Sequence, residues 1–545
     1  MKELEPEEMT VPRLGTMIDC SRNAVMNVES VKRWIDLTAD LNYNTLLLYI
    51  EDTYEIDGEP YFGYQRGRYS KAELKEIDRY ARERRMEVVP CIQTLAHLNA
   101  ITRWPAYKDR FDIDDILLVG DEAVYELIDK MFSTISECFS GRTVNIGADE
   151  AHMLGRGKYL DGHGLEDRKK ILLSHIGKIS EIGEKYGLTL LMWSDMFYEL
   201  ASGKAYLSSA GDENLLEYAR NQLPANVKLI YWDYYSVDAR HYHDMITQQQ
   251  KLTPELWFAG GLWCWCGFAP HNGYSLRSTA AAMQACRRNG VRNIFFTLWG
   301  DDGGECSRWA MLPALYYASQ VAGGNFDEQS IREGFRKKYG ISWDDFMTLD
   351  LPGTPGGTDE TIYNPEKYLL YNDCFTGLLD STLSGEEAAC YASCAEKLRP
   401  LTGDPVWGHL FRTQYTLCRV LANKADLGVR TRLAYRAGKK SLLAITEDYK
   451  KVEEDLECFY EAFRDQWFRE NKPSGFDVQD IRLGALIRRV RSCRRRIEDY
   501  IAGKTDTIEE LEEESLDFLG NGECTKKPLL LNRWGSSATA NVLTW

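Results

Sequence analysis

The chain has 545 residues, more than one ordinary core sustains, since single cores stop growing near roughly 250 to 300 residues; two or three domains are expected. Its 66 Lys and Arg against 83 Asp and Glu leave a net charge of −17, which repels phosphate backbones and anionic lipid and so excludes nucleic acid and membrane surfaces as natural partners. A composition 44% hydrophobic and 27% charged is that of a folded globular chain.

The first ten residues carry four Glu and no apolar run, so they lack the basic and hydrophobic parts of a secretory signal. No apolar stretch approaches the roughly 20 residues that cross a bilayer. The 14 cysteines are therefore expected as thiols in a reducing cytoplasm. Cys264 with Cys266, and Cys390 with Cys394, lie close together but lack C-x-x-C spacing and a second pair, which predicts buried thiols and no metal site.

From Arg13 to about Ala318 one rhythm repeats: a short apolar or β-branched run, a polar loop, then a segment of helical periodicity. Eight runs are predicted, at residues 13–19, 44–50, 86–92, 142–147, 188–193, 227–232, 257–263 and 292–299. Each start leaves room for a crossover helix before the next, as parallel strands require. The runs are almost continuously apolar, which suits strands covered on both faces. Eight such units predict a (β/α)8 TIM barrel over residues 10–325; an open doubly wound sheet is the alternative. Residues 326–545 read as a mostly α-helical C-terminal domain rich in i,i+4 opposite charges. The breaker cluster at residues 352–357 predicts a loop near the junction. Six Arg between Arg488 and Arg496 form a basic stripe, expected to pair with nearby Glu clusters. The helical domain can serve to close the site, to support a homodimer or to cover the barrel.

A barrel places its site at the carboxyl ends of its strands, so the residues after each run matter. They are Asp19 with Arg22, Glu51 with Asp52, Gln93 with His97, Asp149 with Glu150, Trp193 with Asp195, Tyr231 with Asp233, Trp263 with Trp265, and Trp299 with Asp301. Indole faces stack on the apolar faces of sugar rings, and carboxylates and Arg hydrogen-bond to hydroxyl rims. The mouth thus reads as a carbohydrate pocket. Within it Asp149-Glu150 is the sharpest feature: glycoside cleavage needs a carboxyl acid and a group that stabilises positive charge on the sugar. Repulsion between adjacent carboxylates is expected to raise one pKa and keep one of the two an acid.

The segment Ile146-Gly-Ala-Asp-Glu150 resembles the signature of family 20 glycoside hydrolases, the β-N-acetylhexosaminidases, and Gly15-Thr-Met-Ile-Asp-Cys-Ser-Arg22 resembles their first strand. Tyr231-Trp-Asp233 has that family's Tyr-x-Asp spacing, Trp193 stands where a fifth-strand Trp lines the pocket, and Trp299-Gly-Asp301 resembles its Trp-x-Glu. Residues 51–68, with Gly58-Glu-Pro-Tyr-Phe-Gly-Tyr64 inside, look similar to a bacterial intracellular branch. The likeness covers about residues 10–320. It implies removal of terminal β-linked GlcNAc or GalNAc, the 2-acetamido carbonyl of the substrate acting as nucleophile, with no cofactor. Glu150 would be general acid and then base. Asp149 would stabilise the oxazolinium ion, and Tyr231 would hold the carbonyl oxygen. Arg22, Asp233 and Asp301 would grip hydroxyls, Trp193, Trp263 and Trp299 would wall the pocket, and His97 and Asp52 would form a polar ring behind them.

The sequence departs from the family at strand eight, where Asp301 replaces Glu and Glu305 competes for the role, and around His97. The second strand lacks the His-Trp-His of many relatives, and with the first run at Arg13 the small α/β domain that often precedes the barrel is not expected. Three rivals remain. His241-Tyr-His243 has two-ligand spacing, but in a helical segment a solvated pair is expected instead. A sugar-binding protein without catalysis would keep the Trp and Arg groups without an acid, and a glycosidase of unacetylated sugars would not discriminate for the acetamide. Gly155-Arg-Gly157 lacks a following Lys-Ser/Thr and reads as a flexible loop near the site.

Overall fold

A computed structural model describes residues 11–208, 212–355, 361–520, 522 and 526–543. The acidic first ten residues, the last two glycines of the breaker cluster and Cys524 lie outside the described residues. Eight parallel strands close a barrel: Arg13–Asp19, Thr45–Glu51, Glu87–Ile92, Thr143–Asn145, Thr189–Trp193, Val227–Trp232, Trp257–Gly261 and Asn293–Leu298. Each pairs with its sequence neighbours, and the first closes on the eighth, with Arg13 opposite Asn293 and Ile18 opposite Leu298.

Alternation along the strands divides two cores. Met17, Leu47, Tyr49, Val89, Cys91, Leu191, Trp193, Ile230, Trp257, Ala259 and Phe295 fill the barrel interior. Their alternate neighbours, such as Ile18, Leu46, Leu48, Val88, Leu190 and Phe296, pack outward in the large shell shared with the helices. Covering on both faces is why the runs read as continuously apolar. Two runs overshoot their strands. The fourth ends at Asn145 because the chain turns into left-handed backbone at Gly147, and the seventh ends at Gly261 before its Trp-Cys-Trp-Cys segment. A short antiparallel hairpin, Phe111–Ile113 with Ile116–Leu117, sits in the third crossover and has no counterpart in the predicted runs.

Beyond the barrel the described chain is helical, with long helices at Gly408–Lys424, Lys439–Glu470 and Phe476–Ile501. The Arg stripe lies on the last of these. Arg491 and Arg494 pair with Glu453, and Arg496 with Glu509 and Glu510, as the charge pattern predicts, while Arg489 takes the distant Asp373 instead. This region packs on the site end of strands one, seven and eight: Lys472 N donates to Val25 O at 2.7 Å, Gln414 Nε2 to Phe268 O at 2.6 Å and Ser307 Oγ to Glu470 Oε1 at 2.7 Å. Among the described residues no helix is long and apolar enough to cross a membrane.

Candidate active site

Backbone geometry marks the carboxyl end of the barrel before any side chain is considered. Glu51, His97, Ala148, Glu150 and Asp302 all adopt positive φ, from 38° to 65°, a conformation that costs a non-glycine residue on the order of 1 kcal/mol or more and clusters at functional loops. After the fourth strand the chain passes through φ of 73° at Gly147, 65° at Ala148 and 51° at Glu150. That path turns Asp149 inward, where it is 8% exposed, and leaves the Glu150 side chain half exposed over the mouth. Gly147 is required there: a Cβ would stand 1.9 Å from Gln93 Oε1.

The hollow at this end is lined by Arg22, His97, Asp149, Glu150, Trp193, Trp232, Tyr234, Tyr235, Trp265, Trp299 and Asp301. His97 Nε2 stands 3.2 Å from Asp149 Oδ2 and 3.6 Å from Glu150 Oε2, so one ring clamps both carboxylates; its own backbone N–H is fixed by Asp115 Oδ2 at 2.8 Å. Burial opposes charge on this ring, but the Asp149 carboxylate outweighs it and raises its pKa to about 10, so it is an imidazolium at neutral pH. Burial likewise opposes charge on Asp149. The His97 cation and a 3.0 Å hydrogen bond from Gln93 Nε2 outweigh that, holding its carboxyl below the ordinary range. The expected repulsion therefore does not raise Asp149; the neighbouring cation decides the sign.

Burial raises other carboxyls of the site, Glu51, Asp301 and a third one beside the pair, Asp195. Asp195, at the end of the fifth strand, is fully buried; its Oδ2 accepts the Glu150 N–H at 2.9 Å, and its Oδ1 has no hydrogen-bond partner among the described residues. Burial and then the Asp149 charge push it to about 8.

Arg22 is fixed on the opposite side. Its Nη1 donates to Asp19 Oδ2 at 2.9 Å, its Nη2 lies 3.3 Å from Glu51 Oε1, and Asp301 Oδ1 is 4.0 Å away. The guanidinium also stacks on Tyr49 at 5.0 Å and Trp299 at 4.9 Å. Asp19 is itself held by the N–H groups of Ser21 and Gly300, each at 2.9 Å.

Of the residues expected at the site, Arg22, His97, Asp149, Glu150, Trp193, Trp299 and Asp301 share this hollow. Four do not. Asp52 points away and takes Arg66, with Nη2 to Oδ1 at 2.9 Å, because the alternation that brings Tyr49 and Glu51 inward turns the next residue out. Tyr231 faces outward for the same reason, Ile230 and Trp232 being the inward pair, and its hydroxyl donates to Asp233 Oδ2 at 2.7 Å. Asp233 is 1% exposed, accepting also from Tyr235 N at 3.0 Å and paired with His241 Nε2 at 2.7 Å. Trp263 stacks behind Trp265 at 4.3 Å, its Nε1 donating to Tyr234 O. In their places the hollow has Trp232, Tyr234, Tyr235 and Trp265, with Glu51 and Gln93 behind; period two would have found Glu51 and Trp232. Glu305 is buried with Lys367 at 2.7 Å and Arg482 at 3.0 Å, which leaves the pocket to Asp301.

The other motifs resolve structurally. His241 pairs with Asp233, so the histidines of the helix Ala239–Leu252 are not simply solvated. Gly155 and Gly157 are no flexible loop: their N–H groups point at Asp112, which accepts them at 2.9 and 3.1 Å. The thirteen described cysteines are free thiols, with Cys264, Cys266 and Cys394 buried and Cys390 partly so. Among the described residues no group of three His, Cys, Asp or Glu could hold a metal.

An eight-stranded parallel barrel whose mouth joins neighbouring carboxylates to a tryptophan wall suits a glycoside hydrolase. The sequence matches the glycosyl hydrolase family 20 catalytic domain over residues 13–255 and the glycoside hydrolase 20C C-terminal domain over residues 344–529. The chain belongs to glycoside hydrolase family 20. Human hexosaminidase D is 24% identical over 230 residues, covering 40% of this chain and 45% of that protein. A β-hexosaminidase of Porphyromonas gingivalis is 23% identical over 238 residues, 36% of this chain and 30% of that protein. Among solved structures, the family 20 β-N-acetylhexosaminidase of Streptomyces coelicolor A3(2) has a TM-score of 0.43 at 21% identity, covering 61% of this chain and 70% of that chain. The match thus spans less than half the length of these two curated relatives.

Proposed function

We propose that the protein is an exo-β-N-acetylhexosaminidase that removes terminal non-reducing β-linked GlcNAc or GalNAc with retention, by substrate-assisted hydrolysis. The observation that carries this reading is the division of labour around His97: one carboxylate kept ionised inside a tryptophan-walled hollow, its neighbour half exposed at the rim. Glu150 donates a proton to the departing glycosidic oxygen as the C–O bond breaks. The acetamido carbonyl oxygen of the same sugar bonds to the anomeric carbon, and Asp149 accepts the amide N–H as positive charge spreads into the oxazolinium ring. Glu150, now a carboxylate, takes a proton from the water that reopens the ring, so the sugar leaves with its original configuration. No enzyme nucleophile is consumed, unlike the two-carboxylate scheme.

Tyr234 takes the place expected of Tyr231: its hydroxyl accepts from Trp299 Nε1 at 3.2 Å within the hollow and is the donor best placed for the carbonyl oxygen. Arg22 and Asp301 hold ring hydroxyls, with Asp19 and Glu51 fixing the guanidinium. A cytoplasmic setting and short saccharide substrates belong to the same reading, supported by the free thiols. The test is hydrolysis of a chromogenic β-GlcNAc glycoside beside the matched β-glucoside. Release is expected from the first and almost none from the second; on an unactivated β-GlcNAc glycoside kcat in Glu150→Gln should be lower by at least ~10², with less effect on the chromogenic one. Comparable rates on both sugars, or binding without release, overturns the reading.

A further inference from the structure

The buried carboxyl of Asp195 is a group that the reaction above leaves unused. It opens the helix Asp195–Ser202, and a carboxyl in the first turn of a helix ordinarily serves the N–H groups of that turn. Here it reaches out of its own helix. Oδ2 accepts the Glu150 N–H at 2.9 Å, from a residue 45 positions earlier.

That contact falls on strained backbone. Gly147, Ala148 and Glu150 stand at φ of 73°, 65° and 51°, and left-handed residues persist only where their surroundings hold them. The end of the fifth strand supplies the hold. Trp193 N donates to Gly147 O at 3.1 Å where the turn begins, and two residues on Asp195 takes the N–H where it finishes. The clamp is itself fixed, since Ser194 N donates to Ile230 O of the sixth strand at 2.9 Å.

The Glu150 side chain depends on such a hold. Its carboxyl is half exposed, stands 3.6 Å from His97 Nε2 and makes no hydrogen bond among the described residues. Where it points is therefore set by the backbone that carries it. Asp149 is secured differently, by Gln93 and His97 on its own carboxyl oxygens, so the two carboxylates are aimed by separate devices.

We propose that Asp195 is the positioning residue of the proton donor: by taking the Glu150 N–H it fixes the turn that holds the Glu150 carboxyl over the hollow, and it touches no substrate. The proposal rests on the hydrolytic reading above and adds to it the residue that aims the acid. Burial and the Asp149 charge raise Asp195 to about 8, so at neutral pH the acceptor is largely an uncharged acid, for which an amide oxygen is a fair substitute.

The experiment measures kcat/KM, which reports the bond-breaking step, on methyl β-GlcNAc and on dinitrophenyl β-GlcNAc, whose phenolate departs unaided. Wild type, Asp195→Ala and Asp195→Asn are compared, with the affinity of a cyclic thiazoline mimic of the oxazolinium ion as a gauge of the sugar pocket. Asp195→Ala should lose roughly 10-fold to 10²-fold on the methyl glycoside and less than about threefold on the dinitrophenyl one, with thiazoline binding within about twofold of wild type. Asp195→Asn, which keeps an acceptor, should recover most of the methyl-glycoside rate. Equal losses on the two glycosides, no loss on either, thiazoline binding weakened in step with the rate, or an Asn variant no better than Ala overturns the assignment. Should Asp195→Ala not fold, Asp195→Glu replaces it: with the acceptor moved by a methylene, the same leaving-group-dependent loss supports the proposal, and wild-type rates or equal losses overturn it. Should wild type hydrolyse neither glycoside, the hydrolytic reading itself fails and the proposal with it.

Discussion

Asp195 is a carboxyl taken wholly out of water beside two others, and it meets that pair through the Glu150 N–H and through the charge of Asp149. Its folded pKa of about 8 lies above the ordinary carboxylate value of about 4. The folded state therefore binds the proton more tightly than the unfolded chain, and this contribution to stability is full below pH ~4 and lost as pH rises through 8. His97, raised to about 10, adds a second decline, present below its ordinary value near 6.5 and lost as pH rises through 10. Wild-type Tm should thus fall steadily from mildly acidic to alkaline pH. Asp195→Asn keeps the shape but not the titration, so its Tm should be flatter up to about pH 6 and then decline as His97 loses its proton. Parallel melting curves for the two proteins across pH 5 to 10 check this, and superimposable profiles would refute it.

At the scale of a single element, the turn after the fourth strand decides where both carboxylates point. Gly147→Ala would drive a methyl group into the Gln93 amide that holds Asp149 and force an L side chain into left-handed backbone. A displacement near 1 Å at such a group costs about 10²-fold in rate, so kcat should fall by about that much. Gly177→Ala, in the middle of the helix Arg168–Lys185 with open space around its position, serves as the control and should leave kcat unchanged. The strands themselves were legible because covering on both faces writes an unbroken apolar run. What that same run hides is which neighbour faces in. Asp52 and Tyr231 pass for site groups in the sequence because a continuous run carries no visible alternation; the inward set becomes plain only once Tyr49 or Ile230 is placed. The seventh strand misled differently, since Trp263 and Trp265 lie past its end, where the loop and not the pleat sets direction.

Across the whole molecule, the helical region reaches the barrel through a buried ionic knot. Lys367, fully buried, lies 3.0 Å from Asp302 and 2.7 Å from Glu305, and Arg482 lies 2.8 and 3.0 Å from the same pair. Removing Lys367 leaves Arg482 alone against two carboxylates, one buried negative charge uncompensated, so Lys367→Ala should lose about 3–5 kcal/mol in urea unfolding. KM should rise as the loop bearing Asp301 loosens. An unchanged unfolding midpoint would contradict this account. The helical domain is legible because its periodicity is local, and the pairing of its Arg stripe because an Arg run on a helix in an acidic chain meets carboxylates of neighbouring helices, as Arg491 meets Glu453 38 residues away. The knot was not legible: Arg482 meets Asp302 across 180 residues of chain, and nothing in the spacing of either announces the other.

That long-range tether sets a limit on transplantation. The corner of the mouth that holds Asp149 and Glu150 is encoded entirely by the front part of the chain, whereas the loop bearing Asp301 is braced from behind by Lys367 and Arg482, through Asp302 and Glu305. On the hydrolytic reading proposed above, a barrel isolated by itself should keep its carboxylate pair and lose the support of its far rim, so its KM should rise by a larger factor than its kcat falls.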